Sequence, residues 1–153
     1  KSNKINIKNI IKIKKNRYKS TNMLFSLFKA KKLFNGDDDI IISYGDIIYK
    51  KNILNKLINS NENVSTVVDT KWYSYWKKRM QNPMDDAESL KLTKNNYITD
   101  IGKKVKNLSK IEGQYIGLTK ISKEIAVKIL NIWIDISKNK KKKLLTIFIL
   151  QIF

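Results

Sequence analysis

The period of apolar and polar positions changes several times along the chain, and each change marks an element. Ile5, Ile7, Ile11 and Ile13 alternate with polar residues, apart from the apolar pair Ile10-Ile11. This predicts a strand, or two short ones, near a sheet edge. Residues 16–20 read as a loop. Ser20, Thr21 and Asn22 are all competent N-caps, so a helix is expected to begin there. Met23, Leu24, Leu27, Phe28 and Lys31 share a face at helical spacing, closed by Leu33 and Phe34, and the pair Asn35-Gly36 should stop it. Ile40-Ile41-Ile42 then reads as a fully buried strand ending in the tight turn Gly45-Asp46. Ile53, Leu54, Leu57 and Ile58 give a helix over 51–60 its core face. Val64 to Val68 is the next strand, ending at Asp69. Strand, helix and strand with short connections predict a parallel sheet with right-handed crossovers.

Residues 70–84 change character. Trp72, Tyr73, Tyr75 and Trp76 cluster with Lys77, Lys78 and Arg79 before Asn82-Pro83 breaks the segment. On a helix Trp72 and Trp76 share a face. The aromatics either cover the sheet or form the wall of a binding site, with ring faces for a cationic head group. Residues 87–92 and 97–101 read as a hairpin joined by Lys94-Asn95-Asn96. Residues 113–121 read as another strand, interrupted at Gly117, where a backbone or ligand approaches closely. Ser122 caps a last helix with Ile125, Ile129, Ile132, Trp133 and Ile136 inward. A lysine-rich run, 138–143, and an apolar run, 144–153, follow. These ten residues, eight of them apolar, are too short for a bilayer span and form an aggregation-prone segment unless buried. We therefore divide the chain into a domain over 1–137 and a tail over 138–153.

Composition narrows the chemistry. The 153 residues are 42% hydrophobic and 29% charged, as in an ordinary folded protein. Cysteine and histidine are both absent. That excludes disulfides, zinc–thiolate sites, histidine general bases and Ser-His or Cys-His nucleophiles. Any metal must be hard and oxygen-bound, which favours magnesium. No apolar run is long enough for a membrane span and no signal-peptide pattern opens the chain, so the expectation is cytoplasmic. The formal net charge of +19 raises the alternative of a nucleic-acid binder, with the tryptophans as stacking platforms. Against it, only Arg17 and Arg79 are arginines, and phosphate-clamping surfaces lean on the guanidinium fork.

Asp46 carries the sharpest chemical reading. A carboxylate at the carboxyl end of a buried strand sits where open α/β sheets bind ligands. On that reading Asp46 holds magnesium against a nucleotide phosphate; on the plainer one Gly45-Asp46 is a turn. Likewise Asp37-Asp38-Asp39 reads as a solvated turn or a cation site. Lys103, beside Gly102 at a strand end, is a phosphate ligand or a solvated lysine.

Six strings, taken in order, carry a resemblance. They are Tyr18-Lys19-Ser20-Thr21-Asn22-Met23 with Ser26, Leu27 and Ala30; Ser43-Tyr44-Gly45-Asp46-Ile47; Val67-Val68-Asp69 with Trp72; Asn82-Pro83-Met84-Asp85-Asp86-Ala87-Glu88; Ile101-Gly102-Lys103-Lys104; and Ile111-Glu112-Gly113-Gln114-Tyr115-Ile116-Gly117-Leu118. Together they resemble the phosphocholine cytidylyltransferase-like nucleotidyltransferases, relatives of the sugar-phosphate nucleotidyltransferases. The likeness is to members that activate small phosphorylated head groups, and it runs over residues 16–123.

The resemblance implies an α/β fold: a Rossmann-like, mixed and mostly parallel sheet flanked by helices, of the GT-A-like kind. It implies a magnesium-dependent transfer from a nucleoside triphosphate, CTP before UTP, to a small phosphate or phosphonate acceptor, with pyrophosphate released. Such a reaction needs positioning and charge neutralisation but no protein nucleophile. Carried onto this sequence, Asp46 resembles the metal carboxylate, and Tyr44 and Gly45 shape the nucleotide side. Lys103 occupies the place of a lysine that meets the acceptor phosphate. Glu112 and Gly113 fall where relatives contact the acceptor. Trp72, Trp76, Arg79 and Glu88 are further acceptor-side residues, and Asp69 orients that wall. Two parts of the family pattern are missing: the glycine-rich triphosphate loop, since all five glycines lie at or after Gly36, and a second metal aspartate. Asp135, in helical surroundings, does not replace the latter. We expect a partial domain, and a frameshifted tail would account for residues 138–153. A catalytically inactive remnant of the same fold is the other alternative.

Overall fold

The computed structural model describes residues 10–16, 18–20 and 22–138. The expected first strand falls largely outside them; Ile10 and Ile11 are described, but as exposed, non-strand chain. The tail beyond 138 also lies outside.

Helix α1, Met23–Leu27, begins where the caps predict: Asn22 accepts the Phe25 N–H at 3.1 Å. The rest of the expected helix, Phe28–Leu33, tightens into a 3-10 turn kinked at Ala30. The tighter turn has a packing consequence. At about 120° per residue, positions six apart return to one face, which at about 100° they do not. Phe28 and Phe34 thus meet, with ring centroids 5.3 Å apart, and Phe28 stacks on Trp133 at 4.6 Å. Met23 and Leu33, expected inward, are exposed instead.

Strand β1, Ile40–Ser43, leads through the Gly45-Asp46 turn to helix α2, Lys51–Ile58, and strand β2, Val64–Asp69. Helix α3, Trp72–Trp76, precedes the hairpin of β3, Glu88–Leu92, and β4, Ile98–Lys104. Its turn is closed by Asn96 at φ +63°, a left-handed conformation asparagine tolerates. Strand β5, Gln114–Ile121, and helix α4, Lys123–Lys138, complete the order.

The parallel sheet is corrected. The main sheet has the order β1-β5-β2, and both outer strands pair antiparallel with β5. β1 and β2 do run in the same direction, as their connection through α2 suggested, but β5 lies between them and supplies every hydrogen bond. Among the described residues the only parallel pairing is one bridge, Leu90 to Ile111. β1 is accordingly an edge strand and not a fully buried one: Ile40 and Ile42 turn inward while Ile41 is 39% exposed.

Among the described residues two clusters form the interior. Leu24, Phe28, Phe34, Ile121, Ala126 and Ile129 join α1, the sheet and α4, while Trp72, Ala87 and Ile111 join α3 to the hairpin. Ile132 of α4, expected inward, is 40% exposed. Lys120 is buried at 8% exposure, and its ammonium donates to the Ile58 and Ser60 carbonyls and pairs with Asp39 at 3.1 Å. It satisfies carbonyls at the end of α2 that the helix itself leaves open. Asp39, the last of the three aspartates, is thereby a structural anchor, and it also accepts the Lys123 N–H at the start of α4.

Candidate functional site

The carboxyl ends of β1 and β2 lie on one side of the sheet, with the start of β5 between them. This end collects most of the residues singled out from sequence. Asp69 is in register with Gln114. Gly113 packs so closely on β2 that a Cβ there would strike Val68 and lie 3.2 Å from the Asp69 carbonyl oxygen. The Asp69 carboxylate accepts the Lys71 N–H at 2.8 Å and so starts the α3 turn. Gln114, 7% exposed, uses its side-chain amide as a peptide group: Nε2 donates to the Glu88 carbonyl at 2.8 Å, and Oε1 accepts the Glu88 N–H at 3.4 Å. The first residue of β3 is thus held against the first of β5.

Tyr44 lies over Gly117. Gly117 has φ +83°, and a Cβ on it would run into the Tyr44 ring. The Tyr44 N–H donates to the Gly117 carbonyl at 2.8 Å, and the ring meets Tyr115 edge-on at 5.8 Å. Burial pushes the Tyr44 hydroxyl pKa up, and Tyr115, Glu88 and Asp46 push it the same way. Asp46 and Glu88 are therefore both within electrostatic reach of this phenol. Asp46 is exposed in the turn after β1, beside Gly45, and makes no hydrogen bond or ion pair with another described residue.

The remaining candidates are engaged within the fold. Glu112 pairs with Lys91 at 2.8 Å and accepts the Leu92 N–H at 2.7 Å, which holds its carboxyl below the usual range. Trp72 is 3% exposed and meets Trp76 edge-on at 5.2 Å, so its ring serves the interior. Arg79 lies over the Tyr75 ring and donates to its hydroxyl at 3.0 Å.

A cavity of about 1050 Å³ opens between β2 and β5, the hairpin turn and α4. Thr66, Tyr97, Lys103, Tyr115 and Ile129 are among its walls. Of the sequence-picked residues Lys103 alone lines it. Tyr97 donates its hydroxyl to Glu62 at 3.1 Å on the rim. Sequence reading passed over Gln114, Ser89 and Asp100, which position the hairpin and Lys103. Their signal was present only as motif neighbours, since neither a buried amide nor a buried hydroxyl has a periodicity of its own.

Among the described residues no three Asp, Glu, His or Cys side chains group as a metal site. A free, exposed carboxylate such as Asp46 fits a narrower role, as one protein ligand of a magnesium ion that takes its other oxygens from phosphates and water. No described helix is long and apolar enough to cross a membrane.

Comparison with known proteins supports a likeness to cytidylyltransferase-like nucleotidyltransferases, as the six strings imply. The particular relative is a CTP:phosphoglutamine cytidylyltransferase of Campylobacter jejuni, 46% identical over 110 residues, or 69% of this chain. The chain spans 43% of that relative's length. No family model and no solved structure matches.

Proposed function

We propose that this chain contributes the metal carboxylate and the acceptor-side wall of a cytidylyltransferase, which joins the nucleotidyl group of CTP to a small phosphorylated head group. The 46% identity to a cytidylyltransferase carries the reading. The gathering of Tyr44, Asp46, Asp69, Glu88 and Gly113 at one end of the sheet supports it. An acceptor phosphate oxygen forms a bond to the α-phosphorus, the bond to the bridging oxygen breaks, and pyrophosphate leaves with the electron pair. The protein's part is to place two anions in line and offset their charge.

Asp46 would hold a magnesium ion, which supplies charge neutralisation at the triphosphate. Tyr44, braced on Gly117, walls the nucleotide side. Lys103 presents an ammonium to the acceptor phosphate. Asp69 and Glu112 act through the backbone they fix, the first at the start of α3 and the second at the hairpin.

The test is pyrophosphate release from CTP, with magnesium and phosphorylated small molecules as acceptors. Asp46→Asn is expected to slow release by about 100-fold or more. An unchanged rate in Asp46→Asn would remove Asp46 from the metal site, and a chain that neither binds CTP nor releases pyrophosphate would remove the reading.

A further inference from the structure

Lys103 has a partner within its own strand. Its ammonium is ion-paired with Asp100, three residues earlier. The backbone sets this pair up. Glu88 pairs with Lys104 and Leu90 with Ile101, so β4 carries an extra residue opposite Ser89, and Gly102 at φ +80° turns the bulge. Ser89 stands at the centre: its Oγ accepts the Lys103 N–H at 3.2 Å, and after the Lys103 ammonium it helps to hold the Asp100 carboxyl below its usual range. Ser89 is 1% exposed, so the anchor is fixed in the interior. The Lys103 side chain is 65% exposed and lines the cavity, with Asp100 at 25%.

We propose that Asp100 is the positioning residue for Lys103, holding the ammonium at the cavity until the phosphate of an incoming ligand takes the carboxylate's place. The proposal rests on the reading that Lys103 meets the acceptor phosphate. Its physical basis is a difference in strength. An exposed ion pair is held weakly, while a phosphate brings more charge and more acceptor oxygens to the same ammonium. The pair is therefore strong enough to select one lysine rotamer and weak enough to exchange. No covalent bond changes in the exchange.

Inorganic phosphate is the probe, titrated while the Gly102 and Lys103 amide resonances are followed. Lys103→Ala should abolish saturable binding. Asp100→Asn should tighten it roughly two- to fivefold, because no carboxylate competes. In the pyrophosphate-release assay the same variant should lose about tenfold in kcat without a rise in the acceptor KM, since the ammonium is no longer aimed. Asp100→Glu should restore most of kcat. A merely structural role would instead raise KM and lower the melting midpoint. If Asp100→Asn does not fold, Asp100→Ser is read in the same way. Phosphate binding no tighter than wild type, or no binding at Lys103 in the wild type, overturns the proposal. A chain without turnover removes the cytidylyltransferase reading, and the phosphate titration still decides the role of Asp100.

Discussion

Gly117 stands directly under the Tyr44 ring, in a backbone conformation that L side chains rarely adopt. Its lack of a Cβ lets β5 bulge and leaves room for the Tyr44 ring, which meets Tyr115 edge-on. Gly117→Ala should therefore cost on the order of 1–3 kcal/mol and move the Tyr44 ring. A lowered thermal midpoint with an altered near-ultraviolet circular dichroism spectrum would be the result. Gly45→Ala is the matched control, because a Cβ there meets nothing within 4 Å, and it should stay within about 0.5 kcal/mol of wild type. Equal losses from the two variants would refute the account of Gly117. Gly117 was visible in the sequence as a break in a strand, because glycine interrupts the strand pattern. That the approaching group is Tyr44 was not, since a close approach has no local signature. The same holds for Trp72, whose burial depends on what folds over it.

The hairpin is an element held by charge as much as by its own ladder. Glu112 joins it to the lead of β5 through Lys91 and the Leu92 N–H, with its own N–H donating to the Leu90 carbonyl at 2.8 Å. The ionised carboxylate is the bonded form, so its pKa lies below the ordinary 4.5. A depressed carboxyl adds stability above its unfolded pKa and loses it as pH falls through the folded value. The clasp is thus complete at neutral pH and fails below about pH 4.5. Followed by amide chemical shift from about pH 6 to about pH 3, the Leu92 N–H should titrate in the wild type and stay flat in Glu112→Gln. A Leu92 titration that survives the substitution would assign it to another carboxyl, such as Asp100. The existence of these elements was largely legible, from alternation in the hairpin, the Asn22 and Ser122 caps, and the apolar spacing of α2 and α4. The 3-10 turn after α1 was not, because the choice between 100° and 120° per residue was made by Phe34 and Trp133 packing on Phe28.

At the scale of the molecule, the two apolar clusters differ in size and in what closes them. The larger is tied across the central strand to α4; the smaller rests on Trp72, Ala87 and Ile111. Native-state hydrogen exchange should show α3 and the hairpin opening at lower free energy than β5 and α4. Uniform protection across both would mean that they unfold as one unit. The sequence by itself determined the type and order of most helices and strands, the absence of histidine and cysteine from these residues, and the motif strings that resemble cytidylyltransferases. These depend on residue type, on caps and on periodicity within one element. Only the tertiary structure decided that β5 enters between β1 and β2, that Trp72 faces inward, and that Asp100 holds Lys103 beside a cavity. Pairing partners are set by long-range register and packing, and two strands of the same local pattern carry no mark of which neighbour will lie between them.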